Sequence, residues 1–457
     1  MTRTTRLTVC LRHFISKEHP SSSSSKLSLS KKLTSMLSKP KSQPTTPTFQ
    51  TALTHLLQSL PLLPHITTLK IELWHIPVAL LPTLYQTITT SPIAKTIQKL
   101  RLSGHVDMFA SLGEYSVTPQ SESENSFGNL TEFNLELINR QLTHDFDISL
   151  SPVTINAPNS ILSLAHFVLS LSPSLQLLRI WNWSTTLDLS PFFSYLSQSL
   201  PDSPSLVPLP NLKSLFLILP FNTSLQSPSQ PLHQFLLTHS HTLQHLQLRL
   251  KMSRVQLDPR MEEPLGTWLT NLVDNLAHES DDEPKKSRFF PNLQSLDIYP
   301  SSTPAGISAL LIMIKRTAPT LSSLTIRDRY LTLEEAKQVL DVLTEGSQHE
   351  LRVGFRAQIQ SQPPPTTTTT DDTKNAMGEP IKLKSLRMNI THLTVPFLDH
   401  LAHTLPQLKS LWLSASEIVG SGQVRNNQFL LLLSRAENVL LVLGSALPTI
   451  RPCFHRL

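Results

Sequence analysis

Glycine, cysteine and aromatic residues are all scarce in this sequence. The 11 glycines among 457 residues fall well below the roughly 7% average, which argues against glycine-rich loops that cradle phosphate groups. The two cysteines, Cys10 and Cys453, stand at opposite ends of the chain, so a disulfide framework is excluded and a reducing compartment is expected. Aromatic residues make up 6%, too few for platforms on which nucleic-acid bases stack.

Long apolar runs and catalytic motifs are missing as well. The richest apolar run starts at Phe429 and is broken by Arg435, Glu437 and Asn438 before it reaches membrane-spanning length. The sequence has no G-x-S-x-G, H-E-x-x-H or Walker motif. Its net charge of +6 and pI of about 9.3 are mild for this length. We therefore expect no enzyme, cofactor, small-molecule substrate or membrane anchor, and these features argue against a nucleic-acid partner.

What the sequence does contain is a repeated motif, Pro-x-Leu-x-x-Leu-x-aliphatic. Five copies read SPSLQLLRI from Ser172, LPNLKSLFL from Leu209, FPNLQSLDI from Phe290, APTLSSLTI from Ala318 and LPQLKSLWL from Leu405. A relaxed form, Leu-x-x-Leu-x-Leu with other apolar residues allowed, adds five more, for ten in all: 66–71, 97–102, 130–135, 243–248 and 383–388. Most copies are 25 to 37 residues apart, a period typical of solenoids.

Each copy predicts a strand that follows a helix. In x-Leu-x-Leu-x the side chains alternate between faces, so the leucines enter one core and the x positions face outward. A proline ahead of the first leucine stops a preceding helix. The intervening segments 230–239, 303–316, 331–343, 395–405 and 427–436 have helical apolar spacing. Thr303 with Pro304, and Thr332 with Glu335, are helix-start signals.

These residues resemble a leucine-rich repeat over about 66 to 443. The resemblance implies an α/β solenoid with a curved parallel sheet on the concave side and helices on the convex side. The Asn or Cys that usually follows the strand is mostly absent, and the repeat lengths are irregular. Both features are similar to the repeat regions of fungal F-box proteins, although the F-box itself is not found. That family implies a substrate-recognition subunit of an SCF-type ubiquitin ligase.

The chain divides at about residue 50. Residues 1–50 combine a strand-like RLTVCL (6–11) with a Ser/Lys/Pro-rich low-complexity segment, and 51–457 form the predicted solenoid. Polar stretches near 116–129, 279–287 and 347–379 predict disordered insertions in the solenoid. We expect a cytoplasmic or nuclear protein. The basic, serine-rich first 45 residues also fit a mitochondrial presequence, which stays open as the alternative.

Two short motifs suggest chemistry but favour a structural interpretation. His239, His241 and His245 form H-x-H-x-x-x-H, but the third falls on a strand and no nearby Cys or carboxylate completes a metal site. VGSGQV (419–424) has Gly-x-Gly without a third glycine and predicts a turn. We therefore expect no metal site and no catalytic residue.

The x positions of the ten copies are the candidate binding surface. Eight of the thirty are basic and two, Glu132 and Asp297, are acidic, which gives a net +6. With Trp412, another x position, the candidate contacts are Lys70, Lys99, Arg101, Arg179, Lys213, Lys384, Arg387, Lys409 and Trp412. We predict a non-enzymatic scaffold that docks the acidic segment of a protein on this surface. A nucleic-acid-associated basic repeat protein and a mitochondrially targeted repeat protein are the alternatives.

Overall fold

The structure is a computed structural model of the whole chain. It describes residues 6–9, 49–63, 65–115, 127–138, 157–184, 187–197, 207–222, 225, 230–250, 259–278, 290–345, 381–419 and 438–443. The chain forms two compact units, Met1–Leu175 and Gln176–Leu457, called unit 1 and unit 2 below. The predicted insertions at 279–287 and 347–379, most of 116–129, the Ser/Lys/Pro-rich segment and the helix at 427–436 lie outside the described residues.

Unit 1 contains four parallel strands that pair in chain order. They are β1 Arg6–Val9, β2 Thr68–Glu72, β3 Lys99–Gly104 and β4 Glu132–Leu137. Its α-helices are α1 Phe49–Ser59, α2 Leu81–Thr90 and α3 Ala157–Ser170. Single-turn 3-10 helices cover Leu60–Leu62, Leu73–His75, Val78–Leu80, Pro92–Lys95, Val106–Phe109 and Leu112–Tyr115.

Unit 2 contains eight strands, again parallel and paired in chain order. They are β5 Leu177–Asn182, β6 Ser214–Ile218, β7 His245–Arg249, β8 Ser295–Ile298, β9 Ser323–Leu331, β10 Ser385–Thr394, β11 Ser410–Val419 and β12 Asn438–Leu443. Its helices are α4 Ser190–Ser197, α5 Pro231–Thr238, α6 Pro259–His278, α7 Pro304–Thr317, α8 at 333–345 and α9 Val395–Thr404.

The architecture is therefore α/β, with parallel strands and alternating helices in a solenoid-like arrangement, as the sequence predicts. Parallel neighbours need a crossover connection, which the intervening segments supply. All ten copies of the motif form strands, and the hydrogen-bonded neighbours align leucine with leucine: Leu215 pairs with Leu246, and Leu246 pairs with Leu296. The two inward apolar residues on the strand of every copy are buried. The apolar residue that opens each copy, just before the strand, is buried as well in nine copies, and in the last copy it is the half-buried Leu408.

The prolines and caps act as the sequence predicts. α7 ends at Thr317, two residues before Pro319, and α9 ends at Thr404, two residues before Pro406. At the start of α7 the Thr303 side chain accepts a hydrogen bond from the Gly306 amide. At α8 the capping box is reciprocal, because the Glu335 amide donates to the Thr332 hydroxyl at 3.2 Å and the Thr332 amide donates to the Glu335 carboxylate at 2.8 Å.

Two features go beyond the ten copies. The β12 strand continues the register of β11, with Val439 opposite Leu411, so Ala-x-x-Val-x-Leu from Ala436 is a further relaxed copy. The β9 strand contains a bulge, since Ile326 pairs with Met388 but the next pair is Tyr330 with Asn389. Arg327, Asp328 and Arg329 are the extra residues, and Asp328 has a left-handed φ of 61°.

Candidate functional site

The outward positions of the strands are the accessible side of each sheet, as the alternation predicts. All thirty x positions are half-buried or exposed, whereas the strand leucines between them are buried. The middle x residues align across neighbouring strands. In unit 2 this outer row reads Arg179, Phe216, Gln247, Asp297, Thr325, Arg387 and Trp412.

In unit 1 the three candidate cations are all ion-paired. The pairs are Lys70 with Glu72 at 2.8 Å, Lys99 with Glu132 at 2.6 Å and Arg101 with Glu136 at 2.7 Å. The Ser103 hydroxyl also donates to Glu136 at 2.8 Å. Glu72 and Glu136 lie on the strands just past the three x positions, so a charge count confined to those positions missed them. The outward face of unit 1 is therefore close to charge-balanced.

In unit 2 the candidate residues of β10 and β11 form one cluster. The Arg387 guanidinium lies 3.7 Å from the centre of the Trp412 ring, within cation–π range. Lys384 and Lys409 are exposed and lie just before β10 and β11. The Lys409 amide donates a hydrogen bond of 2.8 Å to the Lys384 carbonyl, which joins the two segments. We call Lys384, Arg387, Lys409 and Trp412 the basic patch. Trp412 is half-buried, with Arg387 stacked on its ring.

Next to the basic patch lies a charge network that the β9 bulge completes. Asp297 forms an ion pair with Arg327 at 2.9 Å and accepts a hydrogen bond from Gln247 at 2.8 Å. Arg249 Nε donates to Asp328 Oδ2 at 3.0 Å. Both carboxylates are thus engaged by cations other than Arg387, for which the described part of the chain shows no carboxylate partner. The sequence did not suggest this network, since two of its members lie in the bulge.

The pKa shifts describe the same surroundings. Burial raises the pKa of Asp297, although the positive charges of Arg327 and Arg249 oppose the shift. Partial burial, followed by the neighbouring charge of Arg327, lowers the pKa of Arg387. The carboxylates of Asp297 and Asp328 oppose this shift.

A second cluster on the outward face of unit 2 is apolar. Leu177 and Trp181 on β5 and Phe216 and Ile218 on β6 are half-buried outward residues, and we call them the apolar patch. The Arg179 guanidinium lies among them, 4.6 Å from the Phe216 ring centre and 5.9 Å from that of Trp181. The signal in the sequence is that both faces of these strands are apolar. The remaining candidate, Lys213, is exposed in the turn before β6.

The short motifs contribute no site in the described residues. No group of three or more His, Cys, Asp or Glu side chains that could hold a metal occurs there. His239 is buried beside Phe235, and His245 is an outward residue of β7. Of VGSGQV, only Val419 is described. Within these ranges, none of the helices has the length and apolar character needed to span a bilayer.

No protein-family model matches the chain, and no curated protein is significantly similar to it. The class of the protein therefore rests on its structure: two α/β units of parallel strands and alternating helices, solenoid-like, with the basic patch and the apolar patch on the outward face of unit 2.

Proposed function

We propose that this chain is a leucine-rich-repeat scaffold without catalytic activity, which docks an acidic segment of a protein partner on the outward strand face of unit 2. The repeat class is supported by the register that aligns the leucines of successive copies and by the helix that precedes each Pro-led copy described in full. The basic patch is the docking site in this proposal.

The observation that carries the proposal is the contrast between the two outward faces. In unit 1 each candidate cation contacts a carboxylate, whereas Lys384, Arg387 and Lys409 have no ion pair with a described residue. Arg and Trp are the residues most enriched at binding hot spots, and here they stack on each other. Cations without a partner attract carboxylates and speed their encounter.

The finer form of the proposal is a substrate-recognition subunit of an SCF-type ubiquitin ligase. It rests on the resemblance of the irregular repeats to those of fungal F-box proteins. Affinity purification of the full chain, with mass spectrometry of what co-purifies, tests it. Recovery of the ligase adaptor supports this form, and a partner recovered without the adaptor supports a stand-alone scaffold.

The docking site itself is tested by reversing charge within the basic patch. The double variant Lys384→Glu/Lys409→Glu should bind the purified partner at least tenfold more weakly. Its melting temperature should stay close to that of the wild type, because both side chains are exposed. The matched control is Lys315→Glu/Lys337→Glu, which changes the charge equally on α7 and α8.

Undiminished capture by the patch variant, or equal loss in the control, would contradict the proposal. An RNA titration covers the nucleic-acid alternative. If a single-stranded RNA bound tightly with a steep salt dependence, and the patch variant lost this binding, the ligand of the basic patch would be a phosphate backbone and not an acidic protein segment.

A further inference from the structure

The apolar patch and the basic patch share one face of unit 2 and are separated by a fixed distance. Phe216 on β6 and Arg387 on β10 both belong to the outer row, four strand spacings apart. At about 4.8 Å per spacing this is about 19 Å, which about six residues of extended chain would cover. Clustered apolar groups that stay partly exposed on an otherwise polar face are typical of interaction surfaces.

The charges on the outward face between the two patches are already paired, Asp297 with Arg327 and Arg249 with Asp328. Asp297 lies in the middle of the outer row, and only 13% of its side chain is exposed. Its carboxylate is already ion-paired with Arg327 and accepts a hydrogen bond from Gln247. A further carboxylate placed against it would add repulsion to a poorly solvated anion. A uniformly acidic segment therefore fits the basic patch but not the middle of the row.

We infer that unit 2 recognises a bipartite protein segment, with a cluster of carboxylates on the basic patch and one large apolar side chain on the apolar patch about six residues away. The linking residues are uncharged and cross the strands over Gln247 and Asp297. This inference rests on the proposed function and names the chemistry of the partner. Arg179 holds its guanidinium over Phe216 at the edge of the apolar patch.

The test uses the full chain and synthetic fluorescent peptides measured by polarisation. The bipartite peptide has three glutamates, six Ser/Asn spacer residues and a phenylalanine, and it is made in both orders. Three comparison peptides place the phenylalanine next to the glutamates, replace it by serine, or replace the glutamates by glutamine. The bipartite peptide should bind about tenfold tighter than the serine peptide, because it buries one aromatic side chain.

Protein variants assign the two halves. Phe216→Ser should reduce the affinity for the bipartite peptide to that for the serine peptide, and Arg387→Ser should reduce the affinity for every glutamate peptide. Circular dichroism melting checks that both variants fold. The comparison between peptides on the wild-type chain needs no variant, so it decides the matter even if Phe216→Ser is unstable.

The outcomes separate the two claims. Equal affinity for the bipartite, adjacent and serine peptides would overturn the bipartite segment and leave acidic docking intact. Equal affinity for the glutamate and glutamine peptides would overturn the proposed function and this inference with it. A wild-type dimer that Phe216→Ser converts to a monomer, with no preference for the bipartite peptide, would assign the apolar patch to a second copy of the chain and refute the inference.

Discussion

Single residues along a strand have opposite environments, and this is the scale at which the fold is most sensitive. Leu215 and Leu296 are 0% and 2% exposed, while the preceding serines, Ser214 and Ser295, face outward. One position therefore separates a fully desolvated side chain from one in contact with water. The arrangement follows from the pleat, in which successive side chains point to opposite faces.

Leu215→Asp should abolish cooperative unfolding or lower the melting temperature by more than about 10 °C. Burying an unpaired carboxylate costs several kcal/mol, against a total stability of about 5–15 kcal/mol. Ser214→Asp, the adjacent control, should change stability by less than about 1 kcal/mol because it remains solvated. Thermal melts followed by circular dichroism give both values. Similar damage in the two variants would show that the facing of β6 is wrong.

At the scale of elements, two buried histidines lie on helix α5 and at the residue that follows its last turn. His233 and His239 are both 0% exposed. The His233 ring lies 4.2 Å from that of Trp268 on α6, and the His239 ring lies 4.7 Å from that of Phe235. Burial lowers the pKa of each imidazole to about 4, from a usual value of 6.5. Both rings are therefore neutral in the folded chain near pH 7.

Acid should destabilise unit 2 through these rings. Their pKa is lower in the folded than in the unfolded chain, so their contribution to stability is complete above about pH 6.5 and is lost as the pH falls toward 4. Each histidine should lower the free energy of unfolding by about 2 kcal/mol between pH 6.5 and pH 5. Urea unfolding at the two pH values measures the loss. His233→Leu and His239→Leu should each remove the part of this pH-dependent loss that comes from one histidine. If both variants kept the pH dependence of the wild type, the two histidines would not be its source.

At the scale of the whole molecule, the net charge of +6 is unevenly compensated. Ion pairs within the strand face neutralise the candidate cations of unit 1, while the cations of the basic patch have no ion pair with any residue that the structure describes. Long-range attraction of an acidic partner should therefore depend on the patch more than on total charge. Salt screens such attraction over about 10 Å at 0.1 M.

The association rate of the glutamate peptides should fall roughly tenfold between about 50 and about 500 mM NaCl, with little change in the dissociation rate. Lys384→Ser/Lys409→Ser should flatten this dependence. Lys70→Ser/Lys99→Ser removes the same charge from unit 1. This variant should keep the wild-type salt dependence, because those lysines are ion-paired and lie outside the patch. Stopped-flow polarisation provides the rates. A dependence that follows net charge alone, equal in both variants, would exclude the patch as the site of encounter.

The sequence by itself determined where the strands lie, which side chains enter the core and where α7 and α8 begin. These features follow from alternation, prolines and caps, which act over a few residues. It could not predict which cations are neutralised, because Arg101 meets Glu136 across 35 residues and Arg249 meets Asp328 across 79. Those contacts depend on the register between copies joined by connections of unequal length. The stacking of Arg387 on Trp412 and the β9 bulge were likewise decided only when neighbouring strands paired, since pairing sets which outward side chains touch.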